Sequence, residues 1–199
     1  MQQIQTIAPL LTIYDLDVLP DDGKTYELFE GGLSVAKAPS LNHQQLIIRL
    51  GTILMNYLDQ NPIGTVWSTP GVIFDEYNSA IPDLAFVVKE RIPQIASGIH
   101  IVGAPDLAIE IVSPESIERD RVDKFHEHQH SGVKEFWLID PDKYECEFYQ
   151  LIDDKFQLIE KMAEGIFYSK IVTGFFFHVE HLWKMDSPTL EALKELELL

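Results

Sequence analysis

Two segments of the chain show the apolar period of an α-helix. Between Ser40 and Asn61 apolar residues recur at helical spacing, with Ser40 suited to cap the first turn and Pro62 following the last. A second helix is predicted from about Ile117 to His130, with Ser116 as its cap and Gly132 as its stop. The segment from Ser40 to Asn61 is the longest helix that the pattern predicts.

The chain between these helices, and just after them, carries the pattern of β-strands. Residues 64–77 contain two β-rich pieces, or one strand bent at Pro70 and Gly71. The runs at 84–88 and 107–112 are almost continuously apolar, which is typical of strands buried on both faces, and 133–140 is also predicted to be a buried strand. The predicted order is helix, three strands, helix and strand.

The two ends of the chain add smaller elements. Thr12 and Asp15 fit a capping box that opens a short helical turn, and TYELFEGGLSVAKA fits a hairpin joined at Gly31 and Gly32. A second hairpin is predicted around Asp153 and Asp154, followed by a terminal helix capped by Ser187. The pattern therefore predicts an α/β (α+β) fold with a mixed central β-sheet flanked by helices, and a C-terminal β-hairpin and helix.

Composition places this fold in a globular protein. The 199 residues are 46% apolar and 24% charged, which suits a single domain over 1–199 with a core from about 40 to 141. Apolar runs are too short to span a membrane, and Cys146, the single cysteine, permits no internal disulfide. We expect a soluble, cytoplasmic protein. A net charge of −17 argues against non-specific adhesion to nucleic acid or anionic membrane, although it permits a local basic groove.

One acidic residue interrupts a strand that is otherwise apolar. Glu110 lies inside LAIEIV, where an unpaired carboxylate would cost several kcal/mol to bury, so we expect a metal, a base or a hydrogen-bond cluster beside it. Asp83 opens the neighbouring strand. Two carboxylates near the ends of adjacent strands, completed by a backbone carbonyl such as that of Ile111, would suit Mg²⁺ or Mn²⁺.

Lys124 is the cation expected to act with these acids. It lies about two turns into the predicted second helix, so its long side chain could reach back over the strand ends. A metal there would polarise a phosphodiester and lower the pKa of a bound water. A nearby lysine would orient that water or neutralise developing charge.

Several motifs together resemble those of a known family. They are YELFEGGL, PDLAFV, DLAIEIVSPES, D-x-x-x-K at Asp120 and Lys124, and GVKEFWLIDP. In combination they resemble the Uma-type restriction endonuclease family of the PD-(D/E)xK nuclease superfamily, over most of the chain from about Thr12 to Trp183. The resemblance implies a restriction-endonuclease-like fold and a metal-dependent phosphodiesterase that acts on nucleic acid, with DNA as the expected substrate.

The resemblance also assigns expected roles to single residues. It implies that Asp83 and Glu110 are metal ligands, that Glu27 is a further acid at the site, and that His43 lines it. The chain departs from the superfamily pattern at Val112, which stands where the motif has lysine. The resemblance implies that this lysine has moved to Lys124.

Two other classes of function stay open. A nuclease-like domain without turnover would act as a nucleic-acid or protein-binding module, and could do so as a homodimer. HEHQH at 126–130 fits H-E-x-x-H, in which His126, Glu127 and His130 would form part of a zinc peptidase site. Gly132 follows at once and a third ligand is not evident, so this alternative is the least favoured.

Overall fold

The structure is a computed structural model that describes residues 9–20, 22–36, 39–113, 119–184, 186 and 188–199. The helices in this part of the chain are α1 (Ile13–Leu16), α2 (Leu41–Gln60), α3 (Ile92–Ile95), α4 (Lys124–Ser131) and α5 (Pro188–Glu195), with a π-helical turn at Arg119–Asp123 and a 3₁₀ turn at Val179–Leu182. The strands are β1 (Thr25–Phe29), β2 (Gly32–Ala36), β3 (Gly64–Ser68), β4 (Gly71–Ile73), β5 (Ser79–Ala80), β6 (Leu84–Val88), β7 (Ala96–Ser97), β8 (His100–Val102), β9 (Leu107–Ile111), β10 (Glu135–Asp140), β11 (Glu145–Ile152), β12 (Lys155–Met162), β13 (Ile166–Tyr168) and β14 (Phe176–His178).

The larger sheet contains the buried strands that the sequence predicts. Its order is β12-β11-β10-β9-β6-β3, with β9 and β10 parallel and the other neighbours antiparallel. Parallel neighbours in a sheet need a crossover connection, and α4 lies in the connection from β9 to β10. The predicted mixed sheet flanked by helices is confirmed.

A second six-stranded sheet was not predicted. Its order is β2-β1-β5-β4-β8-β7, and β13 and β14 pair separately. Strands β3 and β4 belong to different sheets because the chain turns between them at Thr69, which has a positive φ of 48°, and at Pro70. The open choice between one bent strand and two strands is thus decided in favour of two.

Helix α2 covers one face of the larger sheet. Leu46, Leu50 and Ile53 are buried on its apolar side in a core with Trp137 and other residues of β6, β9 and β10. Its first turn is capped as predicted, because the Ser40 hydroxyl accepts a hydrogen bond from the backbone N–H of His43 at 3.2 Å. The position of His43 at the start of α2 is therefore fixed by the cap.

The opposite face of this sheet packs against α4 and the smaller sheet. Phe125 of α4 lies against a cluster that includes Phe136 and Val112, and Ala85 and Val87 pack against strands of the smaller sheet. The two sheets and α4 therefore meet beside the ends of β6 and β9. In the described part of the chain, none of the helices has the length and apolar character to cross a lipid bilayer.

Four predicted boundaries need correction or lie outside the described residues. The first hairpin turns at Glu30 and Gly31, both with positive φ, because Phe29 pairs with Gly32. The second predicted helix is a π-helical turn followed by α4, which ends at Ser131 beside Gly132. The proposed caps Ser116 and Ser187 lie outside the described residues.

Glu135 is a buried acid whose role the sequence pattern does not reveal. Its side chain is fully buried on β10 and accepts hydrogen bonds from Trp137 Nε1 at 2.7 Å and from the Ser169 hydroxyl at 2.9 Å. It also accepts from the backbone N–H groups of Lys170 and Ile171 at 2.8 and 3.2 Å. The carboxylate therefore fastens the segment between β13 and β14 to the larger sheet.

Replacing Glu135 by alanine should lower the free energy of unfolding by about 3 kcal/mol, because four donors, two of them buried, would lose their acceptor. Urea unfolding followed by tryptophan fluorescence measures this loss. Glu160→Ala, on exposed β12, is the matched control and should change stability by less than about 0.5 kcal/mol. Equal effects of the two substitutions would contradict the assigned role of Glu135.

Candidate active site

Three elements bring acids and a lysine together where the two sheets meet. Glu27 lies on β1 of the smaller sheet, Glu110 on β9 of the larger sheet, and Lys124 begins α4. The Lys124 Nζ atom lies 2.9 Å from Glu110 Oε2 and 3.2 Å from Glu27 Oε1. It also donates a hydrogen bond to the carbonyl of Ile81 at 3.0 Å. All three charged side chains are at least 95% buried.

Lys124 therefore extends from α4 to Glu110 at the end of β9. Its ammonium lies between two carboxylates that would otherwise repel each other in a medium of low dielectric. Ile81 connects the same groups from the backbone, because its N–H donates to Glu27 Oε1 at 2.8 Å. The contact between Glu27 and Lys124 brings the hairpin acid into the site, where the family resemblance had placed it.

Asp83 forms a second contact group beside the first. Its Oδ2 atom accepts a hydrogen bond from the backbone N–H of Ile111 at 2.7 Å and lies 3.1 Å from His43 Nε2. These contacts come from β9 and from the first turn of α2, so they fix the orientation of the carboxylate. The structure thus places His43 against Asp83.

The strand register brings Asp83 and Glu110 to the same face of the sheet. Antiparallel pairing ends with Leu84 opposite Ile109, and the same register continued by one residue would put Asp83, just before β6, opposite Glu110. Side chains opposite each other in such a pair have Cβ atoms about 4.5–5.5 Å apart. A strand residue directs its N–H and its C=O to the same side, so the carbonyl of Ile111 faces Asp83, as its amide does.

His128 is a site residue that the sequence analysis did not assign. Its Nε2 atom lies 3.3 Å from Glu110 Oε1, so Glu110 is held through both oxygens. The ring is fully buried between Phe74 and Phe136, with centroid distances of 5.5 and 5.3 Å. The sequence feature that could have identified His128 is its spacing from Lys124. It follows Lys124 by four residues and therefore lies on the same face of the helix.

Arg121 anchors the turn that leads into Lys124. Its guanidinium lies 3.0 Å from Asp140 and 3.1 Å from Glu147, both on buried strands. Burial raises the pKa of both carboxyls, but hydrogen bonds from Lys143 and Arg121 to Asp140 outweigh it and hold that pKa below its usual range. The pKa of Glu147 is also lowered, since the Tyr149 hydroxyl and Arg121 outweigh the effect of burial.

The proposed zinc motif has a different environment. Exposed His126 and His130 line an open groove of about 840 Å³ between the first hairpin and α4, and Glu127 accepts a hydrogen bond from Ser131 at 2.6 Å. Within the described residues, no three histidine, cysteine, aspartate or glutamate side chains are grouped to hold a metal. The described residues therefore give the zinc peptidase alternative no third ligand.

Comparison with known proteins places the chain in a family. The model of the Uma2 family, described as "Putative restriction endonuclease", matches residues 13–175. The chain belongs to the Uma2 family. An uncharacterized protein of Synechocystis, slr1290, is 26% identical over 131 residues, which cover 65% of this chain and 67% of that protein.

A solved structure shows the same fold. It is a crystal structure titled as a putative nuclease of the DUF820 group from Anabaena variabilis, with a TM-score of 0.73 and 19% identity. The match covers 87% of this Uma2 chain and 97% of that structure. The restriction-endonuclease-like fold predicted from the motifs is confirmed.

The donors of this Uma2 site are of the chemical type that a hard divalent cation prefers. Asp83 lies beside the strand that carries Glu110, and the carbonyl of Ile111 faces the same side. Mg²⁺ is usually bound by one or two carboxylates while it keeps several waters, so two acids and a carbonyl are a sufficient set. Glu27 is directed instead to Lys124 and Ile81.

Arg121→Leu should lower the free energy of unfolding at pH 7 by about 2 kcal/mol, because two charged hydrogen bonds are lost. Asp140 and Glu147 have lowered pKa values in the folded state. Their ion pairs with Arg121 therefore stabilise the fold fully above about pH 4, and this stabilisation is lost as the pH falls through the lowered pKa values. The difference from wild type should therefore shrink below about pH 4. Urea unfolding at several pH values measures it, with exposed Lys155→Leu as the control. A difference that stays constant down to pH 2 would contradict this account.

Proposed function

We propose that this Uma2 protein is a metal-dependent endonuclease that hydrolyses phosphodiester bonds, with DNA as its substrate. The proposal is supported by the contact of Lys124 with Glu110 and by the position of Asp83 beside the same strand, against the backbone of Ile111. Two acids and a cation in this arrangement match the chemistry of phosphodiester hydrolysis, in which negative charge develops on the phosphate. The family description supports the same reaction class.

Mg²⁺ or Mn²⁺ would be held by Asp83, Glu110 and the carbonyl of Ile111. When bound there, the cation supplies a water of lowered pKa and polarises the phosphodiester. In the reaction, a water oxygen bonds to phosphorus and one P–O ester bond breaks, which yields a phosphomonoester and an alcohol. Asp83 is oriented for this task by the Ile111 amide and His43.

Lys124 has two roles in the proposed reaction. Its ammonium holds Glu110 in place through the 2.9 Å contact, and its positive charge stabilises the negative charge that develops on the phosphate. Glu27 positions Lys124 from the opposite side at 3.2 Å, and His128 fixes the other oxygen of Glu110. We therefore assign Glu27 and His128 as positioning residues for the lysine and its acid.

The net charge of −17 bears on how the substrate is recognised. An acidic protein gains little from non-specific attraction to a phosphate backbone, so binding must come from local contacts around the site. A bound divalent cation and Lys124 would supply positive charge at the reacting phosphate itself. This favours a substrate that is bound through a few specific contacts near the cleaved bond.

A second candidate is a nuclease-like module that binds nucleic acid or protein without cleaving. The position of Lys124 favours this non-cleaving module in one respect. Its ammonium already balances negative charge of Glu27 and Glu110 without a metal. Such a module would retard an oligonucleotide in a gel, or capture a protein partner, and leave every phosphodiester intact in Mg²⁺.

Asp83→Asn and Glu110→Gln should each reduce Mg²⁺-dependent cleavage of a labelled DNA strand to background, because a neutral amide is a poor ligand for this cation. Lys124→Met should lower the rate by about 10²–10³, the usual effect of losing one electrostatic stabiliser. Glu160→Gln, at an exposed position on β12, is the matched control and should keep the wild-type rate.

Circular dichroism and thermal unfolding separate lost chemistry from lost structure in these variants. Asp83→Asn should keep a folded spectrum, because its amide oxygen can still accept from Ile111. Wild-type cleavage that persists in folded Asp83→Asn and Glu110→Gln would exclude the proposed site. Binding of the strand with no cleavage by wild type in Mg²⁺ or Mn²⁺ would favour the module.

A further inference from the structure

The side of helix α2 that faces away from the core carries a stripe of large apolar residues. Leu41, Ile48 and Met55 follow one another at intervals of seven and are 84%, 69% and 56% exposed. An α-helix drifts by only about 20° in seven residues, so the three side chains lie on one side of α2. A single exposed apolar residue is ordinary, whereas a row of them at this spacing is typical of a helix that packs against another helix.

The same side of α2 is uncharged, although the protein as a whole has a net charge of −17. Residues 41–58 include no aspartate or glutamate. The guanidinium of Arg49 donates hydrogen bonds to carbonyls of the 3₁₀ turn, and His43 lies against Asp83 on the core side. The outward face of the longest helix is therefore apolar and neutral in a strongly acidic molecule.

A groove of about 210 Å³ lies beside this stripe, between α2 and β3, the edge strand of the larger sheet. Its walls are mostly apolar and include Ile48 on the helix, and Val66 and Trp67 on β3. Gly51 lines it as well and has no side chain to fill it. The surface next to Ile48 is therefore low, which leaves room for a side chain of a neighbouring molecule.

The stripe is complementary to itself. Leu41 and Met55 lie seven residues before and seven residues after Ile48. A two-fold axis at Ile48, relating two antiparallel α2 helices, would bring Ile48 against its own copy and Leu41 of each chain against Met55 of the other. The same axis would bring Gln44 of one chain to the low surface at Gly51 of the other. An interface in which one surface serves both copies is the usual kind in homodimers.

We infer that α2 and the groove beside it form the contact surface of a homodimer. Two copies of such an acidic chain repel each other at long range, so they can pack closely only where their surfaces are neutral. The α2 stripe meets this condition and offers no positive charge to a nucleic acid. The inference does not depend on the proposed nuclease function, since each copy keeps its own acids and lysine.

The size of this surface limits the strength of the dimer. A helix of 20 residues is about 30 Å long, and together with β3 it would cover roughly 500 Å² on each copy. This area lies at the lower end of specific protein interfaces. We therefore expect a reversible dimer that dissociates at micromolar concentrations.

Sedimentation velocity at several protein concentrations tests the inference. From about 1 to 200 µM, the average mass of wild type should rise from 22.8 kDa toward twice that value, because mass action favours the dimer at high concentration. Higher NaCl should strengthen the association, since salt screens the repulsion between the acidic copies and leaves apolar contacts intact. An interface built from opposite charges would weaken instead.

Substitutions at the two-fold axis identify the surface. Ile48→Glu and Ile48→Lys should each weaken association by about 100-fold or more, because each places two like charges against each other. An equal mixture of the two variants should associate again, since opposite charges then meet at the axis. Leu158→Glu, at an exposed position on β12 at the opposite edge of the larger sheet, is the matched control and should associate like wild type.

Disulfide cross-linking tests the antiparallel register. Leu41→Cys and Met55→Cys should cross-link to each other when the two variants are mixed and oxidised, and each should cross-link to itself far less. Ile48→Cys should cross-link to itself. The native Cys146 is buried and should not take part.

Three results would overturn the inference. The first is a wild type that stays monomeric at the highest concentration in high salt. The second is a dimer that Ile48→Glu does not weaken while circular dichroism shows this variant folded, because the contact would then lie elsewhere. The third is a monomer that uses Ile48 to bind a different protein.

Discussion

A buried ammonium joins the separate parts of this protein. Lys124 contacts Glu27 from the smaller sheet, Glu110 from the larger sheet and the carbonyl of Ile81 in the connection between them. Two buried carboxylates without this charge would carry a desolvation cost of several kcal/mol each. The same contact therefore holds α4 and both sheets together and builds the candidate active site.

The other site groups are fixed by regular structure. Asp83 is held by the Ile111 amide on β9 and by His43 in the capped first turn of α2, and His128 on α4 contacts Glu110. Sites on helices and strands hold their geometry better than sites on loops. Burying several acids close together lowers the stability of the folded state. Such a loss of stability is typical of sites selected for activity.

Much of this site could be predicted from the sequence because an acid within an apolar strand demands a partner. Glu110 stood out for that reason, and the length of a lysine side chain indicated that Lys124 could reach it. The second sheet could not be predicted, since strands such as β5 have only two residues and no period. The contacts of Glu135 with Ser169 and Lys170 could not be predicted either, because hydrogen bonds to residues more than 30 positions away leave no local pattern.

Anomalous scattering from a crystal soaked in Mn²⁺ tests the central claim most directly. The account predicts a peak bound by Asp83, Glu110 and the carbonyl of Ile111, with the Lys124 ammonium still in contact with Glu27. A fully occupied Mn²⁺ bound elsewhere in the molecule, or a lysine turned out to solvent while the acids lie apart, would contradict it.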